Sequence, residues 1–469
     1  MKKLLLSLLF VGFLSHSQTP CENGFAGPYP CNGIDLVSHL DLNVLNANAG
    51  NDSWGWTDPM DGKEYAIVGL DNGTAFIDIS TPTSPIYLGK VPTRTSNSIW
   101  RDIKVYNNHA FIVSEAFGHG MQVFDLTRLR NVPNPPQIFS EDAHYNDFGN
   151  AHNIVINPSQ PYAYAVGTST FSGGPHVVDI SDPLNPTFAG GYDDDFYTHD
   201  AQVITYNGPD ADYQGQEIYF GSNEDEVVIL NVTDKNNITN ISTISYTNIG
   251  YTHQAWLTED ESYLIMGDEL DELNFGFNTR TIFFDVTDLD NPSVHMEYVA
   301  NTQSIDHNGY TKDGLYYLAG YSAGLRILDV SDTENQNVNE VAFFDTLPQG
   351  NPINFDGVWN VYPFFESNNL VLSDTETGFY LVKSPTLSTD TFTTKEETRI
   401  YPNPARDVVN VLTENQEIRN ISIFNKLGQL VYENSQINDF NFSLNISGFS
   451  SGMYLVKINN NISKKLIIE

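Results

Sequence analysis

One five-residue pattern returns along the middle of this chain at a nearly fixed interval: two apolar residues, an aspartate, an apolar residue, then serine or threonine. It stands at Phe76-Ile77-Asp78-Ile79-Ser80, Val123-Phe124-Asp125-Leu126-Thr127, Val177-Val178-Asp179-Ile180-Ser181, Phe283-Phe284-Asp285-Val286-Thr287 and Ile327-Leu328-Asp329-Val330-Ser331. Weaker copies replace the aspartate at Ile229-Leu230-Asn231-Val232-Thr233 and Leu381-Val382-Lys383-Ser384. The key positions 78, 125, 179, 231, 285, 329 and 383 are 47, 54, 52, 54, 44 and 54 residues apart. A β-rich unit of this length in seven copies predicts a seven-bladed propeller, in which each unit is a four-stranded sheet stacked on its neighbours. Continuous Val, Ile and Phe suit strands covered on both faces. The turns Asp182-Pro183 and Asn291-Pro292 stop the strands that precede them.

A second position recurs ahead of each motif: Gly55, Arg101, His152, His199, His253, His307 and Trp359, spaced 46, 51, 47, 54, 54 and 52. A strand follows each, so the order within a unit is inner strand, second strand, motif strand and outer strand. The seventh unit lacks an outer strand after Lys383. Residues 35–45 are expected to supply it and close the ring, since an unpaired edge invites aggregation.

The ends of the chain read as addresses. Lys2 and Lys3, the apolar run 4–14 and small residues up to Ser17 form a secretory signal, expected over 1–17, too short for a mature membrane anchor. No other stretch approaches membrane-spanning length. Export places Cys21 and Cys31, the two cysteines of the chain, in an oxidising compartment, where a small disulfide loop within residues 18–34 is the simplest pairing. The propeller is expected over 35–384. A Ser/Thr-rich linker follows over 385–398.

The 59 acidic residues against 22 basic give a formal charge of −37, a field that repels phosphate and excludes nucleic acid as an expected partner. That acidity lies in the middle: from Arg399 onward there are seven basic and six acidic residues. This last stretch carries Tyr401-Pro402-Asn403-Pro404, the Asn425-Lys426-Leu427-Gly428-Gln429 turn and Ser451-Gly452-Met453-Tyr454. Over 399–469 it resembles the C-terminal sorting domain of the Bacteroidetes type IX secretion system, a small β-sandwich. The resemblance implies an interaction with that machinery, outer-membrane translocation, removal of the domain, and release or attachment at the cell surface.

The middle resembles the choice-of-anchor B family of secreted propellers with LVIVD-type repeats. The carrying residues are Cys21-Glu22-Asn23-Gly24, Tyr29-Pro30-Cys31, Trp100 to Val105, Ala151-His152-Asn153, Thr198-His199-Asp200, Ser222 to Asp225, Thr252-His253-Gln254, Gly267 to Glu272 and Asp306-His307-Asn308, within about residues 20–384. The resemblance implies architecture and location and brings no reaction with it.

Propeller geometry gathers the recurrent position around one mouth of the central channel. Arg101, His152, His199, His253, His307 and Trp359 are therefore expected to line a ligand site, together with the second-strand ends Asp71, Glu115, Glu224, Asp268, Glu269 and Asp374. Neutral imidazoles facing carboxylates are what a divalent transition metal needs, which makes His152, His199, His253 and His307 candidate ligands. Asp200 and Asp306 adjoin two of them. Structural polar packing around channel water and a metal-free pocket are the competing readings of the same residues. Calcium is a second expectation, at the acidic runs Asp193-Asp194-Asp195 and Asp268-Glu269-Leu270-Asp271-Glu272, against solvated loops without an ion. Trp54, Trp56, Trp100 and Trp359 are expected near the same mouth, to stack on a ligand or plug the channel. Gly320-Tyr321-Ser322-Ala323-Gly324 matches the hydrolase pattern G-x-S-x-G but joins two strands, so a hairpin turn is the better reading. The sequence thus predicts an exported binding scaffold for an unknown extracellular ligand, with a metal-dependent hydrolase or lyase as the alternative.

Overall fold

The computed structural model describes residues 18–384 except 196, and 399–468 apart from 402, 404, 407, 414–416, 427–428, 436, 460 and 461. The expected signal segment 1–17 and linker 385–398 lie outside the described residues. The chain forms two compact units that part at residues 385/386.

In the first unit, seven inner strands, Gly50–Thr57, Arg101–Tyr106, Asn153–Ile156, Asp200–Thr205, Thr252–Leu257, Gly309–Lys312 and Val358–Tyr362, each open four antiparallel strands, to which Gln137–Ile138 adds a parallel fifth in the first sheet and Phe25–Ala26 and Tyr29–Asn32 add two more in the sixth; we number these blades 1 to 7. Each inner strand touches the next, and the seventh packs on the first, so the ring is closed. The outer strand of blade 7 is Asp35–Asp41, paired with Gly378–Lys383. This strand is shorter than the expected 35–45, because Asp41 accepts the N–H of Asn43 at 2.8 Å and caps the short helix Leu42–Leu45. Cys21 and Cys31 are disulfide-bonded with Cα atoms 6.0 Å apart. The bridge holds a hairpin, Phe25–Ala26 and Tyr29–Asn32, whose second strand extends blade 6 through Cys31 opposite Phe344.

The repeated motif occupies the third strand of each blade. Its two leading apolar residues face opposite sides of the sheet and both are enclosed: Phe76, Ile77, Phe283 and Phe284 are all 0% exposed. Its aspartate ends the strand in blades 1, 2, 3 and 5, and in blade 6 marks an irregularity before the strand runs on to Asp332. Asp78, Asp125, Asp179, Asp285 and Asp329 each accept the backbone N–H two residues on, at 2.8–3.0 Å. Asn231 does the same for Thr233 at 3.1 Å. The Asp-x-Ser/Thr signature is thus an Asx turn, which stops the strand in blades 1, 2, 3 and 5.

In the second unit, one sheet combines Arg399–Tyr401, Val408–Leu412 and Asn441–Asn445, and another combines Leu430–Asn434, Ile421–Asn425, Gly452–Ile458 and Ile462–Ile468. Val409 and Val411 of the first sheet share a buried core with Ile421, Ile423 and Val456 of the second, the arrangement of a small β-sandwich.

Candidate functional site

The inner strands present the same three levels in every blade. The first level holds Asn51, Arg101, His152, His199, His253, His307 and Trp359. The expectation of Gly55 for blade 1 is corrected here. Gly50 pairs with Leu70 and Ser53 with Val68, a bulge that puts Asn51 where the other blades carry the recurrent residue. Gly55 instead lies against Tyr362 and Phe365, where a Cβ would collide.

One residue further on, polar side chains tie blade 1 to blade 2, blade 2 to blade 3, blade 5 to blade 6 and blade 7 to blade 1. Asp52 accepts the N–H of Ile103 at 3.0 Å, Asp102 that of Ile154 at 2.7 Å, and Gln254 that of Gly309 at 3.1 Å. Asn360 closes the circle, donating to Ser53 O at 2.7 Å. Lys104 sits among Asp102 (2.6 Å), Asp52 (3.8 Å) and the charge of Asp200. Burial pushes the Asp200 carboxyl up to about 7. Asp200 therefore belongs to this belt and not to the mouth.

The third level lies three residues along the strand, roughly 10 Å deeper. Trp54, Trp256, Tyr310 and Tyr362 gather there around Phe364 with ring centroids 4.8–6.4 Å apart. Trp54 thus stands at the far end of the channel and not at the expected mouth. Trp56 is buried in the wall, its indole donating to Asn108 at 3.1 Å. Trp100 is exposed beside the first level, and Trp359 is part of it.

At the first level the four histidines form a continuous row. Ring centroids are 4.0 Å apart for His152 and His199, 4.4 Å for His199 and His253, and 4.2 Å for His253 and His307; Trp359 continues it at 4.7 Å. His307 donates from Nδ1 to Trp359 O at 2.6 Å, which leaves its Nε2 unprotonated. That nitrogen is 3.7 Å from Glu269 Oε1, and His253 Nε2 is 3.8 Å from Glu269 Oε2. Tyr321 donates to Glu269 at 2.9 Å and fixes the carboxylate between the rings. His152 meets Glu115 through Nδ1 at 2.5 Å. Both ring nitrogens of His199 and Nδ1 of His253 are enclosed without a hydrogen-bond partner.

Ligand atoms of His199, His253 and Glu269 all lie within 4.8 Å of one another. Burial, then the neighbouring imidazoles, holds His199 and His253 well below the usual histidine range, and burial brings His307 to about 3. Burial pushes Glu269 up to about 7. His199, His253 and His307 are therefore neutral nitrogen donors around a carboxyl group that is costly to ionise, the state in which a cation is favoured.

The other expected site residues separate from this centre. Asp268 is occupied by four donors, Tyr246, Gly250, Tyr251 and Leu270, at 2.6–3.2 Å, and clamps the preceding loop. Asp71 holds the loops at Asn48 and Asn97, and Asp374 accepts the N–H groups of Glu376 and Thr377 in its own turn. Glu224 is exposed at the rim. Arg101 is buried, bound to Leu70 O at 3.1 Å and His119 at 3.0 Å, and burial lowers it to about 10. Of the acidic run Asp193-Asp194-Asp195, the first two are solvated and the third binds Tyr192 and Asn240. Ser322 of the G-x-S-x-G match donates to Pro352 O at 2.7 Å and meets the Ser304 hydroxyl at 2.9 Å within a hairpin, and among the described residues it makes no hydrogen bond to a histidine. Sequence reasoning missed Tyr197, Tyr251 and Tyr321, which crowd the row. The repeated tripeptide Tyr-Thr-His at 197–199 and 251–253 was the available signal for the first two.

Fold and site together define a β-propeller carrying a buried row of histidines with a glutamate at the starts of four consecutive inner strands. The chain carries LVIVD repeats, matched over residues 63–93 and 149–194, and its residues 399–469 are a secretion system C-terminal sorting domain. That domain marks the protein for secretion or cell-surface attachment through the type IX system and implies an interaction with its machinery. Among the described residues no helix is long and apolar enough to cross a membrane. The chain is 30% identical over 113 residues to an ulvan lyase, NLR42, of Nonlabens ulvanivorans, a stretch covering 22% of this chain and 21% of that enzyme, so the chain spans about a fifth of the curated relative it matches. A structure of PorZ, an essential bacterial surface component of the type IX secretion system of Porphyromonas gingivalis, aligns at 12% identity and TM-score 0.45, covering 87% of this chain and 58% of that one. The β-propeller domain of Cps50 (Swd1) from Myceliophteria thermophila aligns at 12% identity and TM-score 0.47, covering 72% and 99%.

Proposed function

We propose that this protein is an exported binding propeller that takes its extracellular ligand at the His-lined mouth, through a divalent transition metal held by His199, His253 and Glu269. His152 and His307 flank the ion, and Glu115 holds His152 through its Nδ1. Two imidazoles and one carboxylate suit a borderline metal such as zinc or iron(II). The observation that carries the reading is the enclosed, unpartnered imidazole of His199, which faces His253, whose Nδ1 is also without a partner, and the Glu269 carboxylate. A buried polar group without a partner costs on the order of 1–3 kcal/mol, and an ion removes that cost.

Elemental analysis of the mature chain, purified without chelator, tests it. One equivalent of transition metal is expected in the wild type, and loss of it in both His199→Ala and His253→Ala. A metal-free wild type that reloads with none would overturn the reading.

The enzymatic alternative, hydrolysis or elimination at the same ion, is favoured by one observation: three convergent ligands leave a coordination position open, as in catalytic zinc sites. Turnover of an acidic polysaccharide or peptide that disappears with the metal would support it.

A further inference from the structure

The step that builds the histidine row builds a second ring three residues further along each inner strand. Blades 5, 6, 7 and 1 supply Trp256, Tyr310, Tyr362 and Trp54, and blades 2, 3 and 4 supply Lys104, Val155 and Gln202. All of these except Tyr310 line one cavity of about 340 Å³, with the exposed Pro158 also in its lining. Sites for small molecules run from roughly 300 to 1,000 Å³.

The wall of this cavity has two halves. On one side Trp256 meets Tyr310 with ring centroids 4.8 Å apart, and Trp54 meets Tyr362 at 5.2 Å. Phe364, in the loop after the inner strand of blade 7, has its ring centroid 5.4–6.4 Å from all four of those rings. The phenyl group of the chain itself thus shows that this arc accepts an aromatic ring at ordinary edge and offset spacing. On the other side Val105, Val155, Ile156, Val203 and Ile204 offer hydrocarbon. A flat ring between the two arcs buries both of its faces against apolar surface.

The polar groups in the wall narrow the ligand further. The Lys104 ammonium is paired with Asp102 at 2.6 Å, has Asp52 at 3.8 Å and stands 4.6 Å from the Trp54 ring centroid. Its charge is taken, and in a chain of formal charge −37 an anion is repelled. A second cation would meet the ammonium itself. A sugar would strand its hydroxyls on the aliphatic side. A donor remains: Gln202 takes the N–H of Leu257 on its carbonyl oxygen at 2.8 Å, which leaves its NH2 group for a ligand.

We propose that this end of the channel is a second binding site, which takes an uncharged aromatic molecule of one or two rings carrying an oxygen acceptor. It is separate from the histidine row, and its ligand needs no metal.

The test titrates the mature chain in a calorimeter with β-naphthol, which is uncharged at neutral pH. One equivalent is expected to bind with a dissociation constant on the order of 0.1 mM. Trp256→Ala should weaken binding about tenfold, the worth of one ring pair, and Ile204→Trp, which fills the cavity from the aliphatic side, should abolish it. His199→Ala should bind β-naphthol as the wild type does, whether or not it holds a metal, so this site and the metal site fail separately. No saturation of the wild type up to about 2 mM would overturn the proposal, and that measurement decides even if the variants do not fold. Tighter binding of β-naphthoate or of β-naphthylmethylammonium, displacement of β-naphthol by methyl glucoside, or unchanged binding in Ile204→Trp would overturn it as well.

Discussion

Asp102 Oδ2 accepts the backbone N–H of Ile154 at 2.7 Å across a blade boundary, 52 positions along the chain. The same carboxylate holds Lys104 at 2.6 Å and the N–H of Ile103 at 2.8 Å. One side chain therefore neutralises a buried ammonium and fastens blade 2 to blade 3.

Asp102→Ala is expected to destabilise the propeller by about 3–5 kcal/mol, the range for breaking one partner of a buried ion pair. Asp102→Asn with Lys104→Met should recover much of that loss, because both charges then leave together. Urea unfolding of the two variants measures the difference. A cost for Asp102→Ala below about 1 kcal/mol would show that the belt does not hold the blades.

The turn aspartates predict a smaller, additive effect. Asp179→Ala and Asp285→Ala each remove one exposed acceptor that ends a motif strand, at 2.8 and 3.0 Å from Ser181 and Thr287. Each should cost about 1 kcal/mol, and the double variant about the sum, since the two turns lie in different blades. Denaturant midpoints of the single and double variants check both statements.

The repeat and the recurrent position were legible because propeller blades impose the same chemistry at the same step: apolar pairs for two covered faces, an acceptor to end a strand. What failed to read were features set by partners distant in sequence. The structure puts Asn51, four residues before Gly55, at the recurrent position of blade 1; neither residue shares the imidazole of blades 3 to 6, so only the step to Arg101, 50 residues against 46, could have separated them. Trp54 was sent to the wrong end of the channel by the same slip. Glu269 stood among the second-strand ends, but only Tyr321, supplied by the next blade, distinguishes it from its neighbour Asp268, which turns into its own loop.

Two buried histidines outside the row give the fold an acid limit. Burial, reinforced by the Arg101 guanidinium, brings His119 to about 4, and burial brings His176, bound to Tyr145 at 2.8 Å, to about 4. A histidine starts near 6.5 unfolded, so the unfolded chain binds more protons between these values and stability rises with pH. The contribution is complete above about 6.5 and is lost as pH falls toward 4, on the order of 2 kcal/mol for each group. His176→Gln should flatten the fall of the melting temperature between pH 6.5 and 4.5; an unchanged slope would place the acid limit elsewhere.

The disulfide is expected to act on blade 6 before it acts on the whole ring. The loop it closes is short, a separation of 10 residues, so its removal should cost about 2–3 kcal/mol. Cys31 itself pairs with Phe344 on the outer strand Asn337–Phe344. In Cys21→Ser/Cys31→Ser, amide exchange should accelerate first in residues 25–32 and along that outer strand, and leave the motif strands of blades 2 to 5 protected. Uniform acceleration across all seven sheets would mean instead that the bridge is part of the global cooperative unit.

The sorting domain yields a prediction that separates address from fold. Its core is built from its own residues, Val409, Ile421, Val456 and Leu466 among them, and the propeller ring closes with residues 35–41, which lie outside it. Removing residues 399–469 should therefore leave the melting temperature of the propeller unchanged within about 2 °C, the shift of a sub-kcal change in a domain this size. It should also leave the truncated chain inside the outer membrane. Immunoblots of periplasm, cell surface and medium from the producing bacterium read the second effect. Appearance of the truncated form in the medium at wild-type levels would show that the export signal lies in the propeller, and a fall in melting temperature would show that the two units stabilise each other.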